Sequence, residues 1–213
     1  MSKQRKPWPV PKLWPGETVF IIGGGPSLKG FDFTPLHGKR VIGVNQAFRL
    51  GNWVDLVYFG DCGFWSQNKE ALTQYTGLIV TSCTRVPPLG DGWPRVRRVG
   101  RSKNMGIEYK QKGYISWNRN SGGSAINLAY WLGAKRVVLL GFDMKPDGNQ
   151  HNWHDHYGKR AAGFNPYKAH LLGFKVIAKE AKTLGMEILN ANPDSMIPDF
   201  SKLPFDKVME LER

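Results

Sequence analysis

The sequence predicts an α/β domain: a single Rossmann-like, mostly parallel open sheet with helices on both faces and a basic insertion or lid. Three observations carry this. Six short runs of apolar and β-branched residues recur along the chain. Helix-patterned segments alternate with them, and several runs end in glycine or a small polar residue.

The opening stretch, MSKQRKPWPVPKLWPGE (1–17), is interrupted by proline and reads as an irregular arm ahead of a domain over 18–213. The strand candidates are TVFII (18–22), RVIGV (40–44), DLVYF (55–59), GLIVT (77–81), KRVVLLG (135–141) and MEILNA (186–191). Each has strand length, and apolar residues at successive positions suit parallel strands buried on both faces. The clearest helix is SGGSAINLAYWLG (121–133), where Ala125, Leu128, Ala129 and Leu132 share a face and Gly133 supplies the stop. A second helical pattern covers 169–185 and also ends in glycine.

Residues 85–120 break the alternation. They hold prolines and glycines, and from Arg95 to Arg119 eight Lys/Arg stand against one acid, Glu108. Such a segment inside an α/β domain is a functional lid or, equally, a solvated loop or hairpin.

Composition bounds the function. The chain has 213 residues, enough for one domain with a full core, and its 41% hydrophobic content and eight tryptophans exclude a disordered chain. The net charge of +13 fits a polyanionic partner, an acidic surface or a phosphorylated ligand. Cys62 and Cys83 form no C-x-x-C pair, so neither a disulfide framework nor a zinc site is expected, and a reduced, cytoplasmic setting follows. No run approaches the ~20 apolar residues of a membrane span.

The chemistry gathers at the predicted strand ends. Gly23, Gly24 and Gly25, followed by Pro26 and Ser27, close the first strand. Glycines there permit positive φ and let backbone N–H groups approach an anion, although a tight structural turn explains them too. The pattern is neither G-x-G-x-x-G nor a Walker A loop. Asn45 follows the second strand, Asp61 the third and Asp143 the fifth. Ser121, Gly122 and Gly123 open a helix whose free N–H groups would face a ligand, with Ser121 a candidate cap.

The ordered set GGGPSL, VNQAF, SGGSAINLAYWLGAKRVVLLGFDM, a His/Tyr-bearing loop and GMEILNANPDSMIPDF resembles the bacterial lipooligosaccharide sialyltransferases. It is equally similar to a superfamily of phage and bacterial proteins grouped with 6-hydroxymethylpterin pyrophosphokinases. The resemblance spans residues 18–200. It implies a Rossmann-like sheet with a lid and a CMP-activated sugar donor. It puts Gly24, Gly25, Pro26 and Ser27 beside the donor phosphate, Asn45 on the nucleotide, and Ser121 and Gly122 at the ribose and phosphate. Residues around Asp143, with Asn192 of the NPDS turn, would approach base or sugar. It also implies a histidine base after the Gly-x-Asp strand, with tyrosines steadying the departing phosphate. Here the segment HNWHDHYGKRAAGFNPYKAH offers His151, His154, His156, His170, Tyr157 and Tyr167. His156 is the first choice, with His154 and His170 as alternatives.

Three functions compete at this stage. The first is a glycosyltransferase moving a sugar from a CMP- or NDP-sugar to an acceptor hydroxyl, the acceptor being a nucleic acid or an anionic glycan. The second is a pyrophosphokinase-like enzyme using ATP and Mg²⁺, with Asp61 or Asp143 as metal ligands. No dedicated metal site is assigned. The third is a nucleic-acid-binding protein without turnover. In either nucleic-acid case Arg95, Arg97, Arg98, Arg101, Lys103 and Arg119, interleaved with Trp93, Tyr109, Tyr114 and Trp117, form the contact surface.

Overall fold

The computed structural model describes residues 6–86, 95–157 and 165–212. Strands β1 (Thr18–Ile22), β2 (Arg40–Val44), β3 (Leu56–Phe59), β4 (Leu78–Thr81), β8 (Arg136–Leu140) and β9 (Glu187–Asn190) fall on the six expected runs. Two short strands that the sequence did not announce, β5 (Val96–Arg98) and β10 (Ser201–Lys202), complete an eight-stranded sheet of order β10-β9-β8-β1-β2-β3-β4-β5. Every pairing in it is parallel. β5 and β10 were illegible because three and two residues are too few for a period to register.

The apolar runs are continuous because each strand feeds two cores. Along β1, Val19 and Ile21 enter one hydrophobic cluster, and Phe20 and Ile22 the other. Helices α2 (Ser121–Leu132) and α3 (Tyr167–Thr183) cover the first face through Ala125, Leu128, Leu132, Phe174 and Ile177. Helices α1 (Cys62–Leu72) and α4 (Phe205–Leu211) cover the second through Phe64, Trp65, Leu72 and Val208. Gly133 ends α2 with φ 98°, the left-handed stop expected of it.

The basic segment is partly woven into the core. Val99, Ile107 and Ile115 are buried, and β6 (Gly100–Ser102) pairs with β7 (Tyr114–Ser116) in parallel rather than as a hairpin. Asn127 of α2 holds this region. Its Oδ1 accepts from the backbone N–H groups of Glu108 and Ser116 (2.8 Å each), and its Nδ2 donates to the Glu108 carbonyl. Residues 6–17 form no regular element but run along the core, with Val10 and Trp14 buried.

Cys62 and Cys83, expected as reduced thiols, are instead joined in a disulfide, their Cα atoms 5.1 Å apart. A separation of 21 residues hid the pairing. β3 and β4 are neighbours, so the segments leaving their carboxyl ends meet. No helix among the described residues is long and apolar enough to cross a membrane.

Candidate functional site

The chain runs from β1 to β2 on one side of the sheet and later returns to β8 on the other. β1 and β8 are adjacent, so the topological switch lies between them, and ligand clefts in open α/β sheets form outside strand ends at such a point. A cleft of about 390 Å³ opens there, within the range of small-molecule sites. Its wall includes Gly23–Gly25 after β1, Asn45 after β2, Asp61 after β3 and Gly141–Lys145 after β8. Arg119 to Gly122 contribute the start of α2, and His151, His154, Tyr157, Tyr167 and His170 form the far side.

The triple glycine answers to the protein more than to a ligand. None of Gly23, Gly24 and Gly25 has positive φ; the left-handed glycine here is Gly141, at 68°. A Cβ on Gly23 would come within 2.7 Å of the Gly141 carbonyl oxygen. A Cβ on Gly25 would overlap Asp143 Oδ2 and lie 2.6 Å from the Gly141 carbonyl oxygen. Only Gly24 has room, its nearest neighbour being Asn152 Oδ1 at 3.1 Å. The expected positive φ is therefore corrected: the glycines are small so that β1 and β8 can end side by side.

Asp143 is the reason for that closeness. Its Oδ1 accepts from Ser27 N–H (3.2 Å) and Asn192 Nδ2 (2.9 Å), and its Oδ2 accepts from Ser27 Oγ (3.0 Å). The carboxyl is 3% exposed, and burial pushes its pKa above the ordinary carboxylate range against the opposing pull of the Ser27 hydrogen bonds. Ser27 and Asn192 thus clamp Asp143 and do not themselves line the cleft; neither does Pro26. Trp153 secures the same loop from outside, donating its N–H to the Gly24 carbonyl (3.1 Å) and its indole Nε1–H to that of Gly23 (3.0 Å).

Asn45 is held in the left-handed region at φ 52° as β2 gives way to a short 3₁₀ turn. Its Oδ1 is buried and accepts no hydrogen bond, which makes it a ready acceptor for a ligand donor. At α2 the cap is Asn120, not Ser121: Asn120 Oδ1 accepts from Gly123 N–H at 2.6 Å, and Ser121 is the first helical residue. A Cβ on Gly122 would meet the Phe142 ring and one on Gly123 the Asn118 side chain, so packing explains both glycines. Gly123 does not line the cleft.

Of the three histidine candidates, His154 and His170 line the cleft and His156 does not; His156 is exposed, its backbone N–H donating to His154 Nδ1 at 3.3 Å. His170 sits in the first turn of α3, and burial holds its imidazole below the ordinary histidine range. Tyr157 lines the cleft, and the Tyr167 hydroxyl is hydrogen-bonded to His151 Nδ1 at 2.8 Å. Among the basic candidates Arg119 alone reaches the cleft wall. Arg95 is exposed beside the sheet edge, Arg97 and Arg98 lie on edge strand β5, Arg101 is on β6, and Lys103 follows it. Trp93 lies outside the described residues.

Lys145 and Asn152 line the cleft without having been singled out, and His151, named with the loop but not chosen as base, lines it too. A lysine two positions past the Asp143 strand end was the legible signal for the first. The other two depend on how the loop docks, which no local pattern encodes.

The residues do not suit a bound divalent cation. Asp143, one of the two proposed ligands, has both oxygens engaged by Ser27 and Asn192, which leaves Asp61 alone. Among the described residues no cluster of three His, Cys, Asp or Glu side chains could complete a set.

No protein-family model and no curated protein sequence matches the chain. Solved structures do. The Campylobacter jejuni sialyltransferase CstII in complex with cytidine-5'-monophosphate has 17% identity and a TM-score of 0.56, over 89% of this chain and 86% of that one. The same enzyme with CMP-3FNeuAc gives 19% identity and a TM-score of 0.54, over 88% and 86%. The monofunctional α-2,3-sialyltransferase Cst-I of that organism gives 16% and 0.57, over 90% and 81%. At such identities the likeness establishes a shared Rossmann-like fold.

Proposed function

We propose that the protein is a glycosyltransferase that moves a sugar from a nucleotide-activated donor, a CMP-sugar first among them, to an acceptor hydroxyl. The observation that carries this reading is the juxtaposition, in the switch-point cleft, of His170 with the amino-terminal turn of α2 and the unsatisfied Asn45 Oδ1. The neighbours of the same fold are sialyltransferases solved with CMP compounds, which supports the donor class.

In this mechanism the nucleotide lies along Gly24 and Asn45, with its phosphate toward Ser121 and Gly122. Free N–H groups and the helix dipole favour an anion there. His170, kept neutral by burial, takes the proton from the acceptor hydroxyl as that oxygen attacks the anomeric carbon. The bond from this carbon to the phosphate oxygen breaks, and the nucleotide leaves with the electron pair. Arg119, Lys145 and the hydroxyls of Tyr157 and Tyr167 meet the charge that develops on it. The acceptor is an anionic molecule, in keeping with the chain's +13 charge. The ATP- and Mg²⁺-dependent reading is disfavoured by the engagement of Asp143.

The test is a thermal-stability titration with CMP, UDP, GDP and ATP, each with and without Mg²⁺. Stabilisation by CMP without metal is the expected result. A response to ATP alone, and only with Mg²⁺, refutes the transferase reading. Turnover is then measured as release of CMP from a CMP-sugar.

A further inference from the structure

Arg101 and Arg119 stand beside the cleft. Among the described residues the ion pairs are Arg136–Glu187, Arg136–Glu212 and Lys207–Glu210, on β8, β9, α4 and the residue that follows α4. Among the described residues, Arg101, Lys110 and Arg119 take part in none of them. Glu108, the acid of that stretch, turns its Oε1 to the backbone N–H groups of Lys110 and Gln111.

The same stretch holds the exposed large aromatic side chains among the described residues, Tyr109 (42%) and Trp117 (46%). Each carries a cation over its ring: Arg101 stands 5.3 Å from the Trp117 centroid and Lys110 5.5 Å from that of Tyr109. Burying an indole is worth a few kcal/mol to folding, so an exposed one beside a charged patch marks a contact surface.

Arg101 is fixed rather than trailing in solvent. Its Nη2 donates to the Gly60 carbonyl and to Ser82 Oγ (3.1 Å), and its Nε to Ser82 Oγ (3.3 Å). All these acceptors are neutral, so the guanidinium keeps its full charge. Gly60 leads directly into Asp61 at the cleft. A Cβ on Gly60 would lie 3.5 Å from both Arg101 Nη2 and Ser121 Oγ, which sets Arg101 on the rim beside α2. Two residues beyond Trp117, the left-handed pair Asn118 (φ 51°) and Arg119 (φ 57°) turns Arg119 to the cleft wall. Buried Asn118 anchors that turn by bonding both the N–H (2.6 Å) and the carbonyl (2.9 Å) of Gly106. Among the described residues the carboxylates lining the cleft are Asp61 and Asp143, and Asp143 is engaged by Ser27 and Asn192.

We propose that this rim binds a single strand of nucleic acid, with phosphates against Arg101 and Arg119 and a base stacked on the open face of Trp117. Tyr109 with Lys110 offers a second platform of the same kind. The chemistry favours this partner over a glycan. A glycan brings no π system, whereas a nucleobase stacks face to face on an indole and carries its phosphates to the neighbouring cations. A duplex keeps its bases stacked internally, but a single strand exposes them to an indole. The strand's role as acceptor, feeding a hydroxyl into the cleft, rests on the transferase reading; its binding does not.

The experiment is fluorescence anisotropy of a labelled mixed-sequence oligodeoxynucleotide, run over a series of salt concentrations. Trp117→Ala is expected to weaken binding roughly five- to hundred-fold with little change in salt slope, and Trp117→Phe to recover most of it. Arg101→Ala is expected to reduce the salt slope by about one. Lys207→Ala, on the far helix α4, is expected to bind as the wild type does. Two results overturn the proposal: equal affinity of wild type and Trp117→Ala, or an acidic polysaccharide such as heparin binding more tightly than the oligonucleotide through the same residues. CMP-induced thermal stabilisation is measured on every variant. Its absence, with Trp117-dependent strand binding intact, removes the transferase reading and leaves the surface standing.

Discussion

Replacing Gly25 by alanine adds one methyl group where the structure has no space for it. The new Cβ would overlap Asp143 Oδ2, with Asp143 Cγ and the Gly141 carbonyl oxygen each at 2.6 Å. The carboxylate can swing aside only by giving up its three hydrogen bonds to Ser27 and Asn192 while still buried. The Gly141 carbonyl cannot move without shifting the end of β8. Bonds to a charged group contribute about 1.5–3 kcal/mol each, so partial loss of the set costs about 3–5 kcal/mol. That is a large share of the roughly 5–15 kcal/mol that stabilises a domain. The neighbouring Gly24→Ala change meets only Asn152 Oδ1 at 3.1 Å, a side-chain atom that can yield, and is expected to cost under about 1 kcal/mol. Urea unfolding of the two variants, with CD as the probe, makes the comparison. Equal midpoints for Gly25→Ala and wild type, or an equal loss for both variants, would falsify the claim that Asp143 dictates the glycine.

Further predictions address the base, the disulfide and the core amide. His170→Ala should abolish CMP release from a CMP-sugar while leaving CMP-induced stabilisation intact; an active variant would return the role of base to His154 or His156. Because burial lowers the His170 pKa, the neutral imidazole is the form favoured in the fold. The contribution to stability is complete above the unfolded pKa of about 6.5 and is lost as pH falls through the folded one. The acid limb of the pH–rate profile should accordingly lie below pH ~6.5, and a limb above that value would exclude His170. Reducing the Cys62–Cys83 bond, which closes a loop across 21 positions, should lower stability by about 3 kcal/mol in denaturant titrations with and without dithiothreitol. Asn127→Ala strands the backbone N–H groups of Glu108 and Ser116 and should cost about 2–4 kcal/mol, whereas a loss below 1 kcal/mol would show that water replaces the amide.

The elements that could be read from the sequence are those whose signal is local and repeated. Continuous apolar runs such as TVFII and RVVLL announced strands covered on both faces, and a helix stop was visible at Gly133. Helix α1 was missed because CGFWSQNKEAL mixes buried aromatics with polar residues and shows no clear apolar face. Helix α4 has only seven residues. In the site, residues directly after strands were legible: Gly24, Asn45, Asp61 and Asp143 all sit at carboxyl ends. Their roles were not. Asp143 looked available for a ligand, yet Ser27 and Asn192, 116 and 49 positions away, satisfy it. Asn120 rather than Ser121 became the helix cap because its amide reaches the Gly123 N–H.

By itself, then, the sequence determined the doubly covered parallel sheet, since burial on both faces and the turn chemistry at strand ends are written in neighbouring residues. It also determined that polar groups collect along one edge of that sheet. Only the tertiary structure decided which of those groups remain open to a ligand. That depends on contacts between residues far apart in the chain: β1 against β8, the Trp153 loop over the glycines, Cys62 against Cys83. Such contacts leave no periodic trace. They determined that Gly25 yields to a carboxylate, that Asn45 keeps an unused acceptor, and that His170 rather than His156 stands at the wall of the cleft.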